Sequence, residues 1–223
     1  MATPSETNGT NPLRLGIVLF PGFEALDAFG PLEVFNTLSL THNVTQAILA
    51  TTLDPVSTKA PGFPNSIEQR IVPTHTFANA PPLDILLVPG GLGTRGDSTE
   101  VQTAIAFIRD AFPGLQYLMT VCTGSGLAAR AGVLDGLRAT TNKRAWADTT
   151  ALRPDVQWVA RARWVVDGKA WTSSGVSAGI DVALAWVEEV LGSEVARNVM
   201  RRMEYTRHTD AAVDPFAELY GLA

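Results

Sequence analysis

The one cysteine of the chain, Cys122, has the sequence setting that most favours chemistry. It lies in Leu115-Gln-Tyr-Leu-Met-Thr-Val-Cys-Thr-Gly-Ser-Gly-Leu-Ala-Ala, where an apolar strand passes at once into a small-residue helix start. At such an elbow the side chain stands outside the carboxyl end of a parallel sheet, which is where open α/β sheets place ligands. A helix opening at Thr123 would aim unpaired N–H groups and the positive end of its dipole at the sulfur, favouring thiolate over thiol. Gly124 and Gly126 let the backbone pack closely in the turn. The chemistry expected of such a sulfur is nucleophilic or redox chemistry. A buried structural cysteine is the competing reading, because unpaired cysteines are among the most buried of residues.

Other candidate groups carry less. Histidine occurs only at 42, 75 and 208, and with a single cysteine this leaves no zinc-ligand spacing, so no metal and no cofactor is expected. His42 reads as a loop residue and His75 as flanking a ribbon, both at the surface. Asp27, taken alone, reads as a cap or turn residue before a helix near Gly30-Pro31. Gly91-Leu-Gly-Thr-Arg-Gly96 spells a dinucleotide fingerprint after a strand, but the next helix opens only near Thr99 and no acidic residue closes a following strand. Gly175-Val-Ser-Ala-Gly179 spells a serine-hydrolase elbow, with Asp181, His208, Asp210 and Asp214 downstream. That chemistry needs its acid and histidine on later strand ends, and the chain after Ser177 reads as two helices and a tail. Ser177 is therefore expected to start a helix.

The elements that must position Cys122 follow from alternation. Leu15–Phe20, Val44–Ala50, Leu83–Val88 and Leu115–Val121 are short apolar runs of the kind buried on both faces of a parallel sheet. Helical patterns follow the last two at Glu100–Phe112 and Thr123–Leu134, and a helix is expected after the first. This predicts a flavodoxin-like α/β fold: a doubly wound, mostly parallel sheet with helices on both faces. Two added β-hairpins are expected at Phe63–Phe77 and Val156–Thr172, the second around Asp167-Gly168. Val176–Leu191 reads as a helix ending at Gly192, with Ser193 as the N-cap of a last helix to about Tyr205. The division expected is a disordered tail at 1–12, a single domain at 13–207 and a C-terminal extension at 208–223.

Composition excludes several classes of function. The 223 residues carry 17 Lys and Arg against 22 Asp and Glu, a net charge of −5, so no basic field is present to attract nucleic acid. Arg197, Arg201, Arg202 and Arg207 read as a solvated helix face balanced by Glu194 and Glu204, and the tryptophans at 146, 158, 164, 171 and 186 read as packing. No apolar run spans a bilayer, and the polar start lacks the apolar stretch of a signal peptide, so a cytoplasmic protein with no membrane partner is expected. Asn8-Gly-Thr10 and Asn43-Val-Thr45 match the glycosylation acceptor pattern by chance on that reading.

The Cys122 elbow joins three further segments: Phe20-Pro-Gly-Phe-Glu-Ala-Leu-Asp-Ala-Phe-Gly-Pro-Leu-Glu-Val-Phe35, Val88-Pro-Gly-Gly91 and Gly175-Val-Ser-Ala-Gly-Ile-Asp181. In this order they resemble the DJ-1/PfpI (ThiJ) superfamily from about Leu13 to Tyr205. The branch they look most like is that of the isocyanide hydratases and the amidotransferase-like domains found beside bacterial transcription regulators. The resemblance implies Cys122 as nucleophile and Asp27 as an acid whose carboxyl meets the sulfur and stays protonated. It implies an oxyanion and substrate site at the amides of Gly90, Gly91 and Thr123 together with Asn142, with the Thr123 hydroxyl orienting water. Asn142 falls where many members carry histidine, which counts against a Cys-His pair and leaves Asp27 as the proton source. The activity implied is a hydro-lyase-type addition of water to an isocyanide, a small-molecule substrate, yielding an N-formamide. The alternatives are a glyoxalase or deglycase acting on dicarbonyls and a non-enzymatic cysteine sensor of redox state or ligand. A homodimer is expected on the same ground.

Overall fold

The computed structural model describes residues 12–222. All but the last residue of the tail expected at 1–12, and the Asn8 acceptor pattern with it, lies outside the described residues. In chain order these form β1 (Leu13–Val18), α1 (Ala25–Ser39), β2 (Val44–Ala50), β3 (Val56–Ser57), β4 (Arg70–Ile71), β5 (His75–Thr76), β6 (Ile85–Val88), α2 (Thr99–Ala111) and β7 (Tyr117–Val121). They continue with α3 (Gly124–Arg130), β8 (Arg138–Ala139), α4 (Trp146–Thr150), β9 (Gln157–Trp158), β10 (Trp164–Asp167), β11 (Ala170–Ser173), α5 (Ala178–Leu191), α6 (Ser193–Met203) and α7 (Pro215–Leu219).

The main sheet has the order β10-β11-β7-β6-β1-β2-β5. Every pairing in it is parallel except β10 with β11. Ile17 of β1 stands between Ile48 of β2 and Leu87 of β6 in register. Ile85–Val88 is buried at every position, as a strand covered on both faces must be. Helices α1, α5 and α6 pack together, as do α2, α3 and α4, giving the two covering layers. Trp186 of α5 is fully buried between Phe35 of α1 and Tyr117 of β7, with ring centroids 5.5 and 5.4 Å away. The inner order β2-β1-β6-β7-β11 is the flavodoxin-like winding, whose direction reverses between β1 and β6. The site described below sits outside the carboxyl ends of the strands flanking that point.

Several local expectations are corrected. Helix α1 opens at Ala25 rather than near Gly30-Pro31, so Pro31 lies inside it. Tertiary packing overrides the proline penalty there, for Pro31 is buried against Gly179 of α5. The stretch 63–77 is not a hairpin: β4 pairs antiparallel with β3, outside that stretch, and β5 joins β2 in parallel at the sheet edge. Turn residues announced a chain reversal but not the partner strand. The hairpin around Asp167-Gly168 forms as β10 and β11, whereas β9 pairs in parallel with β8. Gly192 occupies the N-cap position of α6, and Ser193 is its first helical residue. Arg207 is not on a solvated face; its side chain is nearly buried and pairs with Glu188.

The described part of the C-terminal extension, residues 208–222, packs onto the preceding elements. Asp214 caps α7, accepting Phe216 N–H at 3.1 Å, and its other oxygen is 3.7 Å from Lys143 Nζ with both side chains buried. No helix among the described residues is long and apolar enough to cross a membrane.

Candidate active site

The carboxyl ends of β1, β6, β7 and β11 deliver the site. Cys122 leaves β7 with φ 58°, the left-handed region that costs a non-glycine residue about 1–2 kcal/mol. The surroundings over-determine this conformation. Cys122 N–H is shared between the carbonyls of Ser173 and Ser174 at 3.2 and 3.0 Å, and its own carbonyl accepts the hydroxyls of Ser125 and Thr141 at 3.0 and 2.9 Å. Beyond β11, Val176 also has a positive φ, 45°, rare for a β-branched residue, and its N–H is directed at the sulfur. Asn142 reaches the same sulfur. Its Oδ1 accepts Ala145 N–H at 2.9 Å, which leaves the amide nitrogen as the donor toward Cys122. A Cβ at position 175 would lie 2.4 Å from that nitrogen, so Gly175 makes the room for it.

Asp27, in the first turn of α1, is fully buried. One of its oxygens, Oδ2, accepts Gly90 N–H at 2.9 Å. The other is buried without a hydrogen-bond partner, and the Cys122 thiol is a neighbour of the carboxyl. Position 90 admits only glycine: a Cβ there would lie 2.6 Å from both the nitrogen and the hydroxyl of Thr123 and 2.9 Å from Asp27 Oδ2. Gly91 N–H donates to Thr123 Oγ1 at 3.0 Å, and the Thr94 hydroxyl lies 2.9 Å from the same oxygen. The expected oxyanion site is thus arranged differently. The amides of Gly90 and Gly91 are already spent on Asp27 and Thr123, while Thr123 N–H lies on the side of the sulfur. Nor does the Thr123 hydroxyl cap α3.

Burial pushes the Asp27 carboxyl up from 3.8 to about 7. The Gly90 N–H opposes this, the nearby Glu24 charge adds to it, and the neighbouring Cys122 thiol opposes it. Burial, followed by the Asp27 charge, also drives the Cys122 thiol far above its ordinary range, against the donors from Thr123, Val176 and Asn142. Against the expected thiolate, burial favours the protonated sulfur, beside a carboxyl that burial pushes up to about 7. Helix α3 is too short, and Cys122 too deeply desolvated, for the dipole to prevail.

A cavity of about 560 Å³ opens onto Cys122. Its wall includes Cys122, Thr123, Gly91 and Asn142, and Asp27 lies behind the sulfur rather than on the wall. Of the groups expected at the site, Cys122, Asp27, Thr123, Gly90, Gly91 and Asn142 all converge here. Sequence reasoning missed Thr94, which lies inside the dinucleotide-like segment and locks Thr123, and Val176, which lies inside the hydrolase-like segment. Spacing carries no signal for either. Also missed were Arg95 and Arg144 at the mouth and Phe216 and Tyr220 from the extension. The hydrolase-like constellation does not assemble: Asp181 is buried against Arg163 at 2.6 Å, and His208 meets it through its backbone N–H at 3.1 Å rather than its ring. Neither His42 nor His75 lines the cavity. Among the described residues no group of His, Cys, Asp and Glu is arranged to hold a metal ion.

Isonitrile hydratase from Pseudomonas putida is 35% identical over 193 residues, covering 86% of this chain and 78% of that protein. The HTH-type transcriptional regulator GbdR of Pseudomonas aeruginosa is 28% identical over 200 residues, and the chain spans about half of its length (52%). Among solved structures, a ThiJ/PfpI family protein from Pseudomonas syringae superposes with a TM-score of 0.72 at 29% identity, covering 89% of this chain and 77% of that one. The pattern of one family runs through residues 14–189, from the first strand into α5 and across every residue of the cysteine elbow, and the chain belongs to that DJ-1/PfpI family.

Proposed function

We propose that the chain is an isocyanide hydratase-like enzyme that adds water to an isocyanide and releases an N-formamide. The observation that carries this reading is the buried pair of Cys122 and Asp27, with burial pushing the carboxyl up to about 7. The 35% identity to isonitrile hydratase supports it.

The pair holds one proton in its working form. As the sulfur bonds to the terminal carbon of R–NC, the thiol proton passes to the Asp27 carboxylate, and the acid returns it to that same carbon. The product is a thioimidate, R–N=CH–S–Cys122. Water beside Thr123 then adds to the carbon, with one of its protons going to nitrogen. The carbon–sulfur bond breaks, its electron pair returns to sulfur, and the hydroxyl proton passes through Asp27 to the thiolate, leaving R–NH–CHO. Nucleophilic and acid catalysis together divide one difficult addition into two easier steps.

The other two readings lack such support. Dicarbonyl chemistry needs a base where Asn142 stands, and peroxide sensing needs a thiolate, which burial disfavours here. The dimer stays part of the proposal, with Leu26 and Phe29 exposed on α1, and sedimentation equilibrium tests it.

The test is formamide formation from an aryl isocyanide by the native protein, Asp27→Asn and Cys122→Ala, followed by proton NMR. The native rate should rise through pH about 7, where the pair sheds its surplus proton. Each variant should lose at least about a hundredfold. Absence of formamide from the native protein at every pH from about 5 to 9, a window spanning the ionisation of the carboxyl, removes the reading.

A further inference from the structure

Resting on the hydratase reading, we propose that the substrate is an isocyanide carrying a carboxylate at the end remote from its reacting carbon, on an aromatic body. The cavity of about 560 Å³ is far larger than an isocyanide group, and within the range that encloses a whole drug-sized ligand. Its outer wall is furnished by Phe63, Phe216 and Tyr220, each partly exposed, which offer aromatic faces to a ring.

The charge at the mouth is the specific feature. Arg95 follows β6 in the Leu92–Arg95 turn, Arg144 precedes α4, and both line this one cavity with exposed side chains. Neither takes part in an ion pair or hydrogen bond among the described residues, whereas Arg130, Arg153 and Arg163 each hold a carboxylate. Glu24 is the acidic residue on the cavity wall. Lys143 is also on the wall, but it is buried and answered by Asp214. The mouth therefore carries a local excess of positive charge on a chain whose net charge is −5. A guanidinium left without a partner at the mouth of a ligand cavity matches a carboxylate in shape and charge. The sulfur lies at the base of the cavity and the arginines at its opening. This places the anionic end of the molecule away from the reacting carbon.

The probes are 3-(4-isocyanophenyl)propanoate and its methyl ester, whose two-carbon spacer keeps the reactivity of the isocyanide the same. The acid should show a kcat/KM up to about fivefold above the ester at low ionic strength, an exposed charge pair being worth up to about 1 kcal/mol. That ratio should fall toward one in 0.5 M salt, and likewise in Arg95→Gln/Arg144→Gln. Both positions are exposed, and the salt titration on the native protein decides the matter even if the double variant folds poorly. Equal kcat/KM for acid and ester, or a preference insensitive to salt or to the variant, overturns the proposal while leaving the hydratase reading standing. If neither isocyanide is consumed, it is the hydratase reading that falls. The charge selectivity is then decided by calorimetry of the corresponding formamide acid and ester on Cys122→Ala, where equal affinities overturn it and tighter, salt-sensitive binding of the acid supports it.

Discussion

Replacing Asp27 with asparagine should change how stability depends on pH, by an amount the structure specifies. The folded carboxyl titrates at about 7 and an unfolded one at 3.8. Below pH 3.8 both states hold the proton and the group has no effect on the balance. Between the two values the unfolded chain releases a proton that the folded chain keeps, so stability falls as pH rises, and the loss is complete once the folded carboxyl has ionised. At about 1.4 kcal/mol per tenfold change, the interval from 3.8 to about 7 amounts to about 4 kcal/mol, most of it lost between pH 4 and pH 8. Asparagine retains a carbonyl oxygen for the Gly90 N–H and has no charge to desolvate. Urea unfolding followed by tryptophan fluorescence, at intervals from pH 4 to pH 8, gives the comparison directly. The variant should gain about 4 kcal/mol relative to the native protein across that range, a large fraction of the stability of a typical domain. Parallel curves for the two proteins would mean that Asp27 ionises like an exposed carboxyl, and the one-proton pair would go with it.

Other outcomes follow from the same geometry. At pH 8 iodoacetamide should label Cys122 more slowly than a free thiol, and faster in Asp27→Asn, because the like charge that raises the thiol is gone; timed mass spectrometry measures both rates. Gly90→Ala forces a methyl group against Thr123 and the Asp27 carboxyl and should cost about 1–3 kcal/mol in thermal unfolding, with loss of formamide production. Asp214→Ala leaves the buried Lys143 ammonium without its carboxylate, at a cost of about 3–5 kcal/mol near pH 6. That cost should shrink above pH about 8, where burial already lets the amine lose its proton, and unfolding at pH 6 and pH 9 checks the difference.

What could be read in the sequence is what depends on neighbours along the chain. The β7 strand and the cysteine elbow appear as a change from apolar residues to small ones, and the parallel strands appear as short runs without polar alternation. The partners of two-residue strands do not appear, because β4 and β5 are assigned by distant edges rather than by their own side chains. Asp27 shows the same limit at the site. An acid in the first turn of a helix is usually solvated. Here a glycine loop 63 residues away seals it in and gives it a single donor. The ionisation of Cys122 was misjudged for a related reason: the helix that follows it is a local feature, while the burial that outweighs it is assembled from four strand ends. The wall contributed by Phe216 and Tyr220 depends on Asp214 finding Lys143 across 71 residues of sequence, which no periodicity announces.

The arrangement of the pair bears on which electrophile it suits. A cysteine beside histidine forms a stable ion pair at neutral pH, and that serves a carbonyl, where the nucleophile attacks carbon and the proton is needed on oxygen or on a leaving group. Isocyanide carbon makes a different demand, because the new carbon–sulfur bond and the new carbon–hydrogen bond form on one atom. On the proposed mechanism a thiol and a carboxylate that share one proton meet that demand, since the base that relieves the sulfur is also the source of the proton that the carbon takes up. Burial favours the sharing on that mechanism: it pushes the carboxyl up to about 7, between the two roles proposed for it, and disfavours the sulfur anion before a substrate binds. Asn142 contributes a donor to the sulfur and accepts no proton from it, so the proton has only Asp27 to go to.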